Sequence, residues 1–219
     1  YDPPVHDYDP AFQPDNVDAL SSPAVTYLLE DQEGRLWVGT RYGGLNRLDR
    51  ATGRFTSYPF DPAFEPEDPS TLSGNSVRQL VEDRTGNIWV SSAHWNLDET
   101  RTFARLGLER LNPETGVITR YTAKAGDPCS LPHNAVWRMY EDARGTLWFH
   151  TFAGGVEVYD WETGCFEHYG HNPNDPESLS GEGITGFYED EAGGLWIGTT
   201  VSGVNLYDPT WSKFPAYSV

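Results

Sequence analysis

The chain has 219 residues, with 15 Lys plus Arg against 33 Asp plus Glu, a formal charge of −18, and a composition 37% apolar and 14% aromatic. A chain this acidic lacks the basic footprint that displaces counterions from nucleic acid, and an anionic membrane surface repels it. No apolar run approaches the ~18 residues of a membrane helix, and 8 Trp, 12 Tyr and 10 Phe supply too much surface to bury for a disordered chain.

In chain order, residues 1–19 come first. Asp9-Pro10-Ala11-Phe12-Gln13-Pro14-Asp15 matches Asp61-Pro62-Ala63-Phe64-Glu65-Pro66-Glu67 at an offset of 52. This opening stretch therefore aligns with the end of one repeat unit and the loop after it, and is expected to be the tail of a preceding unit. The first full unit, about residues 20–58, contains four short strand-like runs: Val25–Glu30, Arg35–Thr40, Gly44–Asp49 and Arg54–Pro59. They are called A, B, C and D. Turn residues separate them, and no helical period or capped helix start occurs. The same organisation returns at about 72–121, 131–169 and 179–217.

The repetition is explicit in the residues. Glu30-Asp31-x-x-Gly34-x-Leu36-Trp37 recurs as Glu82-Asp83, Gly86, Ile88-Trp89, then Glu141-Asp142, Gly145, Leu147-Trp148, then Glu189-Asp190, Gly193, Leu195-Trp196. A leucine (Leu20, Leu72, Leu131, Leu179) precedes each copy, followed five residues later by a β-branched residue (Val25, Val77, Val136, Ile184). The tryptophans stand 52, 59 and 48 residues apart. Four strands in a repeat of this length are the signature of a propeller blade. The expected fold is all-β: a β-propeller of four four-stranded blades, a partial propeller or a segment of a larger array, with residues 20–219 as one domain. Trp37, Trp89, Trp148 and Trp196 are expected to fill the spaces between blades. Asp31, Asp83, Asp142 and Asp190 are expected to accept turn N–H bonds beside the A–B glycines.

The motifs resemble the two-component regulator propeller repeat. The resemblance rests on Asp68-Pro69-Ser70-Thr71-Leu72-Ser73-Gly74-Asn75-Ser76-Val77, on Glu82-Asp83-Arg84-Thr85-Gly86-Asn87-Ile88-Trp89-Val90, and on Gly34-Arg35-Leu36-Trp37-Val38-Gly39-Thr40 running on to Gly43-Gly44-Leu45-Asn46-Arg47-Leu48-Asp49. Asp127-Pro128-Cys129-Ser130-Leu131 and Asp175-Pro176-Glu177-Ser178-Leu179-Ser180 repeat the opening motif. The resemblance implies a periplasmic or extracellular location and a sensory role of the kind such propellers have in membrane-bound hybrid histidine kinases, with oligosaccharides as ligands. Propellers of that family usually have more blades than four, so further blades or a second copy are expected to complete the ring.

Blade connectivity places the D–A and B–C loops on one face and the A–B and C–D loops on the other. The first face carries the length variation, including 19 residues between Trp89 and Leu108 where the other copies use 8. Long loops on a rigid scaffold commonly carry function. The positions that differ between copies in strand A and after the strand-B Trp give the candidate ligand-binding set: Arg41, Tyr42, Arg78, His94, Trp95, Trp137, Arg138, His150 and Phe152. Aromatic faces stack on sugar rings, and Arg clamps a uronate or sulfate bidentately. The competing role for the same side chains is to fill the channel and pair with nearby acids.

No nucleophile motif, zinc spacing or phosphate loop is present, and no catalytic residue, cofactor or metal is expected. The Asp-rich loops Asp7–Asp18 and Asp61–Asp68 lack a spaced calcium-ligand motif. Cys129 falls in a D–A loop and Cys165 in a C–D turn. A strand length of ~17–20 Å separates those faces, which predicts no bridge between the two. The expected function is a non-catalytic extracytoplasmic ligand-binding or sensory module that recognises an oligosaccharide on the D–A/B–C face. The alternatives are a glycan-active propeller hydrolase or lyase, and a structural or protein-interaction assembly of blades.

Overall fold

The computed structural model describes residues 19–58, 60, 71–95, 103–207 and 214–217, with 94, 95 and 103–106 as backbone only. The opening heptapeptide and its match at 61–67 lie outside the described residues.

The strands are β1 (Val25–Glu30), β2 (Leu36–Thr40), β3 (Leu45–Asp49), β4 (Arg54–Tyr58), β5 (Ser76–Glu82), β6 (Ile88–Trp95), β7 (Phe103–Leu111) and β8 (Ile118–Tyr121). They continue as β9 (Val136–Glu141), β10 (Leu147–Thr151), β11 (Val156–Tyr159), β12 (Phe166–Tyr169), β13 (Ile184–Glu189), β14 (Leu195–Thr199), β15 (Val204–Tyr207) and β16 (Ala216–Tyr217). No helix occurs among the described residues. Consecutive strands pair antiparallel into four four-stranded sheets, β1–β4, β5–β8, β9–β12 and β13–β16. Each sheet is one blade. The inner strands pack in series, β1 on β5, β5 on β9 and β9 on β13, and no comparable packing returns β13 to β1 among the described residues. The blades thus form an open arc, a partial propeller.

A four-stranded sheet cannot cover both of its faces, so the core lies between blades. Trp37 and Leu45 of the first blade pack with Leu72, Val77, Leu80 and Ile88 of the second. Trp89 meets Leu131, Val136, Met139 and Phe149 of the third, and Trp148 meets Leu179, Ile184 and Ile197 of the fourth. Each of these three tryptophans is 0% exposed. At ~150–250 Å² buried and ~25 cal/mol per Å², each contributes about 4–6 kcal/mol before conformational entropy is counted. Trp196, with no following blade described against it, is only partly buried.

The acidic pairs divide their labour. In the first blade, Asp31 Oδ1 accepts from Glu33 N at 3.1 Å and Arg35 N at 2.8 Å, and Oδ2 accepts from Trp37 Nε1 at 2.8 Å. Trp89, Trp148 and Trp196 donate likewise to Asp83, Asp142 and Asp190 at 2.8, 3.2 and 2.7 Å. The aspartate therefore closes the A–B turn and orients the indole six residues on. The turn glycine has φ of 76°, 80°, 79° and 82° in the four copies, a conformation that only glycine adopts without strain. The glutamate reaches the preceding blade instead. Gln32 N donates to Glu82 at 2.8 Å, Arg84 N to Glu141 at 2.6 Å and Ala143 N to Glu189 at 2.7 Å.

A second polar node, not foreseen from the sequence, sits in strand C. Asn46, Glu109, Glu157 and Asn205 are fully buried, each two residues after a glycine (Gly44, Gly107, Gly155 and Gly203). Three of them accept the backbone N–H of the serine that follows the leucine motif: Ser21 at 3.2 Å, Ser73 at 2.9 Å and Ser180 at 2.9 Å. In the third blade that serine is Pro132, which has no N–H to give. Glu157 accepts instead from Thr151 Oγ1 at 2.9 Å and pairs with His168 Nδ1 at 2.8 Å.

One expectation is overturned. Cys129 and Cys165 form a disulfide, with Cα atoms 4.3 Å apart. The blade topology stands; the assumption that failed is that a D–A loop stays on its own face. Ten extended residues, Thr122–Leu131, can reach roughly 30 Å, and this loop descends along the outer strand of its blade. There Cys129 O accepts from Phe166 N at 3.1 Å at the start of β12. In the fourth blade Glu177 O accepts from Phe214 N at 2.8 Å in the same way. Strand D would otherwise be an open edge with unpaired N–H groups.

Candidate functional site

The site begins with a backbone irregularity shared by all four inner strands. Pairing skips one residue between Val25 and Tyr27, between Val77 and Gln79, between Val136 and Arg138, and between Ile184 and Gly186. The skipped residues are Thr26, Arg78, Trp137 and Thr185. A bulge leaves its extra residue out of the ladder and re-aims the side chain. The copies differ here in sequence, so one repeated backbone device presents an arginine, a tryptophan and, in the first and fourth blades, a threonine.

In the second and third blades the bulged residues meet. The Arg78 guanidinium lies 3.8 Å from the Trp137 ring centroid. Trp137 in turn faces Phe152 at 6.5 Å, and Phe152 faces His133 at 5.3 Å. Phe152 is 69% exposed. The three rings and the guanidinium form a ladder across the D–A/B–C face.

A groove of about 440 Å³ opens beside the ladder between the third and fourth blades, lined by Trp137, Arg138, His150, Phe152, Glu182 and Ile184 among others. Arg138 is exposed and donates from Nε to Thr185 O at 3.1 Å and from one terminal nitrogen to Trp137 O at 3.0 Å. It thereby ties the inner strands of two blades. Burial, and Arg138 as a second positive charge, lower the pKa of Arg78. His150 occupies the strand-B position that is Gly39 and Gly198 in the first and fourth copies. Its Nδ1 bonds Gly155 O at 2.8 Å, and its Nε2 faces Ile184 N at 3.4 Å. Burial lowers its pKa, so the ring is neutral, with Nδ1–H donating and Nε2 accepting. Both nitrogens are then engaged, and the ring is a wedge between blades that forms the groove floor. At the equivalent Gly39 a Cβ would already lie 2.6 Å from Val77, so the first interface has no room for such a wedge.

Of the nine candidates, Arg78, Trp137, Arg138, His150 and Phe152 come together. Arg41 and Tyr42 sit in the B–C turn of the first blade, two blades from Trp137. His94 and Trp95 continue strand β6, whose partner β7 is lengthened to match, so the insertion extends the B–C hairpin. Their side chains lie outside the described residues. Sequence reasoning missed His133 and Glu182. The same signal marks both, because the positions aligned with Glu182 are Pro23, Asn75 and Asn134, and those aligned with His133 are Ser22, Gly74 and Gly181. Glu182 Oε1 accepts from His171 N at 3.1 Å. Among the described residues no group of three His, Cys, Asp or Glu could hold a metal ion, and no helix is long and apolar enough to cross a membrane.

The family model for the two-component regulator propeller matches residues 19–42, 71–94, 130–153 and 178–200. Among solved structures, the chain is similar to the extracellular domain assigned to a hybrid two-component system from B. thetaiotaomicron, at 26% identity and a TM-score of 0.70 over 91% of this chain and 25% of that one. A second such domain from the same organism matches at 23% identity and a TM-score of 0.61, over 85% of this chain and 22% of that one. PorZ, a surface component of the type-IX secretion system of Porphyromonas gingivalis, matches at 18% identity and a TM-score of 0.64, over 93% of this chain and 29% of that one. The last two likenesses concern the fold alone. The chain spans about a quarter of the length of these structures. No curated protein matches it.

Proposed function

The chain is built of two-component regulator propeller repeats, and from that premise we propose that it is a non-catalytic, ligand-binding part of an extracytoplasmic sensor, periplasmic or extracellular, that recognises an oligosaccharide in the groove between its third and fourth blades. One observation carries the reading. A bulge turns Trp137 out of the inner strand beside a largely exposed Phe152, on the loop face and over a groove edged by Arg138 and Glu182. A sugar ring offers an apolar face to such aromatics and hydroxyls to such donors and acceptors. In the same reading, further propeller blades, from a longer polypeptide or a second copy, cover the open ends of the arc.

Isothermal titration against a panel of neutral and acidic oligosaccharides tests this. At least one is expected to bind, with Trp137→Ala weakening it at least tenfold, while Arg50→Gln on the opposite face leaves it unchanged. Binding that survives Trp137→Ala in a variant with native near-ultraviolet circular dichroism would overturn the placement. A panel with no binder at all would overturn the ligand class.

A further inference from the structure

We infer that the groove beside Trp137 is a subsite for an anionic sugar residue, one carrying a carboxylate or a sulfate, with Arg138 as its cation and Trp137 and Phe152 as its stacking platform. This rests on the oligosaccharide reading above and adds the charge of the ligand.

Two arginines neighbour one another, one of them stacked on the Trp137 ring, in a chain with only 15 basic residues against 33 acidic ones. Arg78 stacks on the Trp137 ring, and Arg138 is the next residue along the same strand. Like charges placed together raise each other's energy. An anion beside Arg138 lowers that cost.

The contacts of Arg138 point the same way. A guanidinium has five N–H donors. Arg138 uses two, both on backbone carbonyls, and among the described residues it has no carboxylate within ion-pair distance. Those carbonyls belong to Trp137 and Thr185, the two bulged residues of adjacent blades, so the side chain is held at the mouth of the groove by the scaffold itself. A planar fork fixed in this way suits bidentate capture of a carboxylate or sulfate. Other arginines of the chain are neutralised: Arg35 pairs with Asp31 and Glu114, Arg50 with Glu30, and Arg144 with Asp142. Glu182, also on the groove wall, offers an acceptor for sugar hydroxyls while one of its oxygens is engaged by His171 N.

The test compares matched pairs of oligosaccharides by isothermal titration: galacturonan oligosaccharides with their carboxyl-reduced forms, and chondroitin sulfate oligosaccharides with their desulfated forms. At least one acidic member is expected to bind roughly tenfold or more tightly than its uncharged counterpart, a preference that shrinks between 50 and 300 mM salt, in the range where exposed charge interactions are screened. The pair that shows it separates carboxylate from sulfate. Arg138→Gln is expected to abolish the preference, the acidic member then binding no more tightly than its uncharged counterpart. Arg138→Lys should restore part of it, as a point charge without the fork. Equal affinity within every pair, with Trp137-dependent binding intact, overturns the anionic subsite and leaves the oligosaccharide reading standing. An acid preference that survives Arg138→Gln overturns the assignment to Arg138. Binding of no member of either pair overturns the anionic subsite, and the oligosaccharide reading falls with it only if the wider panel has no binder either.

Discussion

Carboxylates of the repeated Glu-Asp pairs, opposite in their titration, set the pH behaviour of this protein. Burial raises the Glu141 carboxyl to about 7, against the lowering effect of the Arg84 N–H it accepts and with Asp83 nearby raising it further. An unfolded glutamate titrates near ~4.3. The folded state therefore holds this proton longer, and stability falls as pH rises from roughly 4.3 to 7. Glu141→Gln keeps the acceptor for Arg84 N and removes the charge, so its urea midpoint is expected to vary less across that window than that of the parent; parallel profiles would refute the account. Asp31 has the opposite sign. Burial alone would raise it, but bonds from Trp37 and Arg35 hold it below the ordinary carboxyl range. Its contribution is present above about pH 3.9 and is lost as pH falls through the lowered value. The aspartates were legible in the sequence because they recur beside a turn glycine. The glutamates' reach to the preceding blade was not, since no spacing within one copy encodes a contact between copies.

Among the elements, the D–A loops do more than connect. In the third blade the loop is clipped to β12 by Cys129–Cys165, at a sequence separation of 36. Loop-closure entropy assigns such a link about 4 kcal/mol at most. Reduction, or Cys129→Ser, is expected to lower the unfolding midpoint and to speed hydrogen exchange at the Phe166 amide, while the amides of β5 and β6 keep their protection. Unchanged exchange at Phe166 would show that the loop covers the edge without help from the link. The bulges behave as elements too. Two of their residues, Arg78 and Trp137, stood out in the sequence because the copies differ there in strand A. What could not be read was that each is the extra residue of its ladder, because register depends on the partner strand.

Across the whole molecule, stability is a series of blade-to-blade interfaces, close to one-dimensional. The end faces show what an interface omits. Val25 and Leu28 of the first blade are 47% and 58% exposed, whereas the equivalent Val77 and Leu80 are 0% and 1%. Tyr188 of the fourth blade is 66% exposed. Trp89→Ala, at an internal interface, is expected to cost about 3–5 kcal/mol. Trp196→Ala, at the open end of the arc, should cost clearly less in the same four-blade chain. Equal losses in urea titrations would show that the tryptophans stabilise their own blades rather than the contact with the next.

Taken alone, the amino-acid sequence determined the repeat, the strands within it, the turn aspartates and the tryptophans that face the next blade. All of these follow from periodicity and turn chemistry, which act over a few residues. Only the tertiary structure decided which variable residues meet. Arg78 and Trp137 are 59 positions apart and touch because bulges in neighbouring blades aim them at one another. Arg41 and Tyr42, chosen by the same sequence signal, lie on a different blade. The disulfide belongs to this second class, because a long loop is free to leave the face where its ends lie. The net charge of −18 argues against nucleic acid; the folded chain shows where, within that acidity, one guanidinium stacks on an aromatic ring next to a second arginine.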